Sequence, residues 1–390
     1  MITPSAVVEP PPKWAALAGV TAALAMFGMG QGLSSLLFTL LMQRQGYSPG
    51  LIGLSAAMMP LGLILSASFV PAAVKRFGAR SLAVGCALIG AACFVAIGLS
   101  QDWVAWFAIR FLLGLVINPL YILGEVWALA LAPPSRRGRV IGVFNAVMGA
   151  GYALGPLTLV VVGTQGWPPF LVGVGGFTAC ALILLAVSSN LPGFEDDGQP
   201  SGNLLGFARL APALLLAVLV SAATQQSTYA LLPVFGAGYG LAEATLAALI
   251  TALSIGNILL QIPLGLAAER VGARAMIVAC AVTTAAAAAL LPALILTPLV
   301  WPLLVVLGAV GYGVYTMALV ELGNRFRGSI LVAGNAAFAL MWGAGGIVGP
   351  PGAGLLMQAA GPIGLPVVIA SLSGALVAFA IYRARCRQAA

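Results

Sequence analysis

Apolar residues run along this chain in long blocks, cut by short clusters of charge, proline and glycine. A helix that crosses the roughly 30 Å hydrocarbon core of a bilayer needs about 20 such residues. Twelve blocks reach that length: 14–42, 51–74, 81–100, 103–132, 140–163, 168–188, 210–236, 243–268, 275–297, 299–320, 329–358 and 362–382. They are numbered here as spans 1 to 12. A membrane barrel needs strict alternation of apolar and polar positions, which is absent, and backbone groups in lipid must bond within their own segment. The expected class is an all-α integral membrane protein. The first block is too long for a signal peptide and reads as span 1.

Polar positions inside the spans fall in stripes. In span 4, Arg110, Gly114, Asn118, Tyr121 and Glu125 follow at separations of four, four, three and four, so they share one helical face. At about 1.5 Å rise per residue the two charges stand roughly 22 Å apart, too far to pair. An ionised group against lipid costs about 3 kcal/mol or more at mid-bilayer, so this face is expected to point inward. Pro119 also frees a backbone carbonyl in mid-span, which suits a cavity wall.

The other stripes supply further candidate binding residues: Gln31 in span 1, Asn145 in span 5 with Tyr152 one face along, and Gln225, Gln226 and Tyr229 in span 7. Spans 8, 10 and 11 add Asn257 and Gln261, Tyr312 and Tyr315, and Asn335 and Trp342. Any one of these is equally well explained by an interhelical hydrogen bond worth about 0.6 kcal/mol. The set together, near mid-span, is expected to line a binding crevice. Arg110 reads either as a fixed cation for an anionic group or as a tie to carbonyls or to Asp102. Glu125 is expected to pair with Arg76, Arg80 or the Arg136–Arg139 cluster; carrying a proton is its alternative role.

Sliding the chain along itself gives one offset, 194 residues. PAAVKRFGARS (71–81) falls on GLAAERVGARA (265–275), MGAGYALGP (148–156) on WGAGGIVGP (342–350), and Gln31 on Gln225. The chain reads as two copies of a six-helix unit with the same membrane orientation, since each unit holds an even number of spans. The expected division is 1–188, an N-terminal bundle; 189–209, a solvated linker carrying Glu195, Asp196 and Asp197; and 210–390, a C-terminal bundle.

Composition narrows the function. Sixty-one per cent of residues are apolar and 7% charged, against about 25% charged in soluble domains, which excludes a soluble enzyme and a nucleic-acid binder. Histidine is absent, removing His-based triads and the commonest zinc sites. The five cysteines form no C-x-x-C pair, and neither a metal nor a cofactor is expected. Without G-x-x-x-x-G-K-[ST] the chain is not expected to hydrolyse ATP. Fifteen of its 17 basic residues fall on one side of the predicted spans, leaving Arg44 opposite and Arg110 within span 4. Both termini are therefore expected in the cytoplasm.

Twelve spans as 6+6, with one loop motif after spans 2 and 8, resemble the major facilitator superfamily of secondary transporters. Its loop pattern, roughly G-x-x-x-D-R-x-G-R-R, is matched by Gly265, Glu269, Arg270, Gly272 and Arg274, with Ala273 in place of one arginine. The first copy keeps Arg76, Gly78 and Arg80 but has Pro71 and Lys75. Arg110–Gly114 resembles the family's span-4 arginine motif, and Gly142, Gly151, Gly155 and Pro156 the start of a span-5 motif of antiporters. Glu125-Val126-Trp127 is similar to a little-characterised bacterial branch. The resemblance implies a cytoplasmic latch at Lys75, Arg76, Arg80, Glu269, Arg270 and Arg274, with Glu125 and Glu321 the acids near membrane depth. It also implies a central cavity lined by spans 1, 4, 7 and 10.

The implied protein is a secondary active transporter, not an enzyme, in a bacterial inner membrane, working as a monomer by alternating access. Its expected partners are a small-molecule substrate, membrane lipid and protons. Arg110 points to an anionic, zwitterionic or amphiphilic solute. A multidrug-type exporter, a non-transporting sensor or scaffold, and a membrane transferase are the competing readings; the last would need a dense polar cluster that the chain lacks.

Overall fold

The computed structural model describes residues 14–100, 102–133, 137–192, 204–326 and 328–388, and every long element in it is a helix. In chain order these are α1 (Trp14–Arg44), α2 (Pro49–Ala67), α3 (Val70–Phe77), α4 (Ala79–Leu99), α5 (Trp103–Leu131), α6 (Arg137–Val162) and α7 (Pro168–Val187). After the linker come α8 (Leu204–Leu210), α9 (Pro212–Ala237), α10 (Glu243–Leu259), α11 (Gln261–Val271), α12 (Ala273–Leu294), α13 (Val300–Arg325), α14 (Gly328–Ala360) and α15 (Gly364–Gln388). The acidic part of the expected linker, 193–203, lies outside the described residues, as do residues 134–136 and the side chains of Arg137 and Arg139.

Two expected spans are not single helices. Span 2 is α2 plus α3, and span 8 is α10 plus α11, bent by 43° at Leu260. The cause is the same in both. A proline ring clashes with the carbonyl four residues upstream and has no N–H to donate. Pro71 sits four residues after Ala67, where α2 stops, and Pro263 four after Leu259, where α10 stops. Among the described residues ten helices are long and apolar enough to cross a bilayer, and the bent pair makes an eleventh. The 33-residue α14 is long enough to take the twelfth place.

Local chemistry sets the ends. Ser48 caps α2 by accepting the Leu51 amide at 3.3 Å, and Asp102 caps α5 by accepting that of Val104 at 3.3 Å. Gly78 and Gly272 join α3 to α4 and α11 to α12 with φ of 77° and 88°, a region that favours residues without a side chain. They are 194 residues apart, and the repeat also governs packing. A Cβ on Gly114 would stand 2.1 Å from the Met59 carbonyl of α2, and one on Gly308 1.9 Å from the Leu253 carbonyl of α10. Between α6 and α1, and between α14 and α9, Gly151 and Gly345 make equivalent approaches to the Ala25 and Leu219 carbonyls. Helices in lipid associate through such close contacts, because lipid supplies no hydrophobic drive between them.

The side holding the start of α1 and the end of α15 is called here the terminal face, and the other the distal face. One continuous buried core draws residues from α1, α2 and α4 to α7 together with the distal portions of α9, α10, α12, α13, α14 and α15, including Leu232, Leu249, Leu304 and Ala353. A separate core, with Val218, Ile277, Met317 and Phe338, holds the terminal portion of the second half alone. The two halves are thus fused on the distal side and parted on the terminal side.

Candidate functional site

The expected inward face of α5 exists, and it divides in two. Arg110, Gly114 and Asn118 are buried, Tyr121 is half-buried and Glu125 is exposed. The upper three pack on α2, held close by Gly114. Arg110 is 2% exposed; it donates to Ser55 Oγ at 3.1 Å and lies 4.7 Å over the Phe38 ring. Its Nε has no partner among the described residues. Asp102 serves as the α5 cap, so the alternative of an Arg110–Asp102 tie is not realised. Asn118 donates to the Leu63 carbonyl at 3.2 Å and is a helix–helix tie.

The lower part of the face opens into a crevice between the halves. Tyr121 donates to Gln31 of α1 and stacks edge-on against Phe27. Across the divide, Tyr152 of α6 and Tyr229 of α9 meet ring edge to face at 5.7 Å, and Tyr229 also bonds Ser254 at 3.1 Å. The opposite wall is aromatic. Tyr312, Tyr315 and Trp342 form a cluster with ring centroids 4.9–5.7 Å apart. Glu125 lies one turn beyond Tyr121 on the same α5 face, toward the terminal face. Gln225 is buried, its Nε2 without a partner among the described residues, and Gln226 abuts Gly346 of α14.

Asn257 bonds Tyr229, and three further candidates stand elsewhere. Gln261 spends its amide on Asn257, the Ala309 carbonyl and Thr316, at 3.4, 3.1 and 3.0 Å, clamping α11 to α13 just after the bend. Asn145 and Asn335 are exposed on α6 and α14 toward the terminal face, near its mouth rather than its floor.

On the distal side three segments from both halves are tied at one point. Arg44 at the end of α1 pairs with Glu243 at the start of α10 at 2.6 Å, and Thr164 in the α6–α7 connection bonds both side chains. Beneath it, Thr39 donates to the Ala230 carbonyl at 3.1 Å, and the first turn of α2 abuts the last part of α14 at Pro49 and Gly354. Nothing in the span pattern singled out Glu243; Arg44 was visible as the lone base on the far side, and an acid at the first turn of span 8 was the signal for its partner.

The ties described on the terminal face lie within halves. Arg274 binds Glu321 at 2.5 Å. Arg80 donates to the Leu191 carbonyl and Trp127 to that of Pro192 at 3.1 Å. The expected pairing of Glu125 with Arg76 or Arg80 is not formed: Arg80 is engaged at Leu191, and Arg76 rests 5.4 Å over Phe77. Glu125 has no ion pair to a described residue, and the Arg136–Arg139 side chains lie outside them. Lys75, Glu269 and Arg270 are exposed. α3 and α11 pack chiefly within their own halves.

The family model of the Major Facilitator Superfamily matches residues 20–249 and 214–387. YfkF of Bacillus subtilis, an uncharacterised MFS-type transporter, is 23% identical over 85% of this chain and 86% of its own length. YcaD of Salmonella paratyphi B, of the same description, is 24% identical over 83% and 84%. Among solved structures, a mutant of the nucleoside transporter NupG superposes with a TM-score of 0.78 at 14% identity, covering 94% of this chain and 99% of its own. A bacterial homologue of the human lysosomal transporter Spinster, inward-facing and unoccupied, gives 0.69 at 15% identity over 96% and 95%.

Proposed function

The chain belongs to the Major Facilitator Superfamily and is a multi-pass membrane transporter of small solutes, a secondary carrier rather than an enzyme; on that premise we propose how this carrier works. Residues 1–188 and 210–390 rock as two bodies joined by 189–209. The crevice between Tyr121, Tyr152, Tyr229, Tyr312, Tyr315 and Trp342 holds the solute. The observation that carries this is the asymmetry of closure: one core and the Arg44–Thr164–Glu243 tie seal the distal side, while the crevice opens on the terminal side. By the positive-inside bias the terminal face is cytoplasmic in a bacterial inner membrane, so this state is inward-facing.

The solute is an amphiphile within the range expected from the sequence. The aromatic side chains of the crevice offer stacking surface and hydroxyl handles, whereas Arg110 is sealed behind Ser55 and Phe38 in this state. Arg110 acts at the floor of the crevice, where its unpartnered Nε and the Nε2 of Gln225 mark donors left for another state of the cycle. Arg274–Glu321 holds the second half rigid during rocking; Lys75, Arg76, Arg80, Glu269 and Arg270 form the cytoplasmic latch of the outward-facing state. A proton or solute gradient drives a monomer.

Cysteine accessibility tests this reading. A cysteine replacing Tyr312, in a chain freed of its native cysteines, should react with impermeant maleimide from the terminal face only. Adding Glu243→Gln should open reaction from the distal face. Equal reaction from both faces, with or without the gate substitution, would contradict alternating access.

A further inference from the structure

One charged side chain on the open crevice wall has no counter-ion among the described residues, and it is an acid. Glu125 is exposed at the level where α5 faces α13. Tyr121 lies one turn away on the same face of α5, and Tyr312 and Tyr315 stand on α13, the wall opposite, all neutral and aromatic. Trp342 packs on both of the latter, at 5.7 and 4.9 Å. A fixed negative charge on the wall of a narrow crevice draws cations and repels anions, and aromatic faces attract cations, not anions.

We propose that Glu125, Tyr312, Tyr315 and Trp342 form a binding site for an organic cation, an ammonium group carried on an apolar body. The inference rests on the crevice being the solute site and names the class of solute. The ammonium takes the counter-ion position at Glu125 while its alkyl or aryl substituents lie on the Tyr312–Tyr315–Trp342 cluster. Arg110 sets the limit of entry. It is a buried fixed positive charge about 22 Å farther along the same helix, so a cation gains nothing by moving deeper. The anion expected from Arg110 alone would have to pass Glu125 first.

The test compares two ions of similar size and opposite charge, phenyltrimethylammonium and benzenesulfonate, titrated calorimetrically into the purified full chain. The cation should bind and the anion should not. Glu125→Gln keeps the shape of an exposed side chain and should weaken cation binding by about tenfold or more. Trp342→Leu should weaken it by about fivefold, with thermal midpoints showing both variants folded. Unchanged cation affinity in Glu125→Gln, equal binding of benzenesulfonate, or binding of neither ion would overturn the proposal. Benzenesulfonate binding that is lost in Trp342→Leu would overturn the cation while leaving the crevice as the solute site. The carrier reading itself falls only with the accessibility experiment above.

Discussion

At one level of the bundle the two halves carry the same backbone and opposite chemistry. In the first half Arg110 of α5 meets Ser55 of α2 and Phe38 of α1. The positions 194 residues on are Leu304, Leu249 and Leu232, each fully buried. The fold therefore closes well over three leucines at this point and has no structural need of a guanidinium. Replacing buried ionic groups with apolar ones of similar volume is commonly neutral or stabilising. That only one half retains a charge here, at a cost, supports the proposed role of Arg110 in the working of the carrier. The terminal face shows a second such difference: Glu321, partner of Arg274, stands where the first half has Trp127, and Arg80 then turns to the Leu191 carbonyl.

Exchanging residues between halves probes this contrast, and the largest effect should come from Leu304→Arg. It puts a guanidinium among Leu249 and Leu232 with no hydroxyl to accept from it, costing about 3 kcal/mol or more; monodisperse yield on size exclusion should collapse. Gly114→Ala and Gly308→Ala come next. Each drives a Cβ onto a helix carbonyl, at 2.1 and 1.9 Å, and should cost about 1–3 kcal/mol with similar losses of thermal midpoint in the two halves. A large inequality would show that the repeat does not extend to packing. Glu321→Ala should cost only about 1 kcal/mol, because the Arg274 side chain is 57% exposed and regains water. Arg110→Leu should change the thermal midpoint least, or raise it, while abolishing the distal reactivity that Glu243→Gln otherwise gives a cysteine at position 312. A marked fall in midpoint would make Arg110 a structural residue.

Spans, repeat and the α5 face were all legible in the sequence, because lipid forces apolar length and punishes outward charge. The breaks at Ala67 and Leu259 were legible too, four residues before Pro71 and Pro263, but hydrophobic run length alone passes over them. Roles within the stripes were not. Gln261 and Asn118 have the same amide chemistry as Gln225, and only the positions of the Ala309 and Leu63 carbonyls decide that the first two are ties. Of the partners expected for Glu125, Arg76 and Arg80 are engaged elsewhere, because sequence distance says nothing of the Leu191 carbonyl that Arg80 meets. The Arg44–Thr164–Glu243 tie joins three distant segments, and no periodicity connects them.

Spin-label distances across the two faces test the proposed cycle most directly. One pair, Gln165→Cys and Ala244→Cys, spans the distal tie; another, Val143→Cys and Ile262→Cys, spans the crevice mouth. In wild-type background the distal pair should be short and narrowly distributed and the terminal pair long. Glu243→Gln should move both in opposite directions, distal longer and terminal shorter. Distances that stay fixed in both pairs when the tie is broken would contradict a carrier that rocks about this crevice.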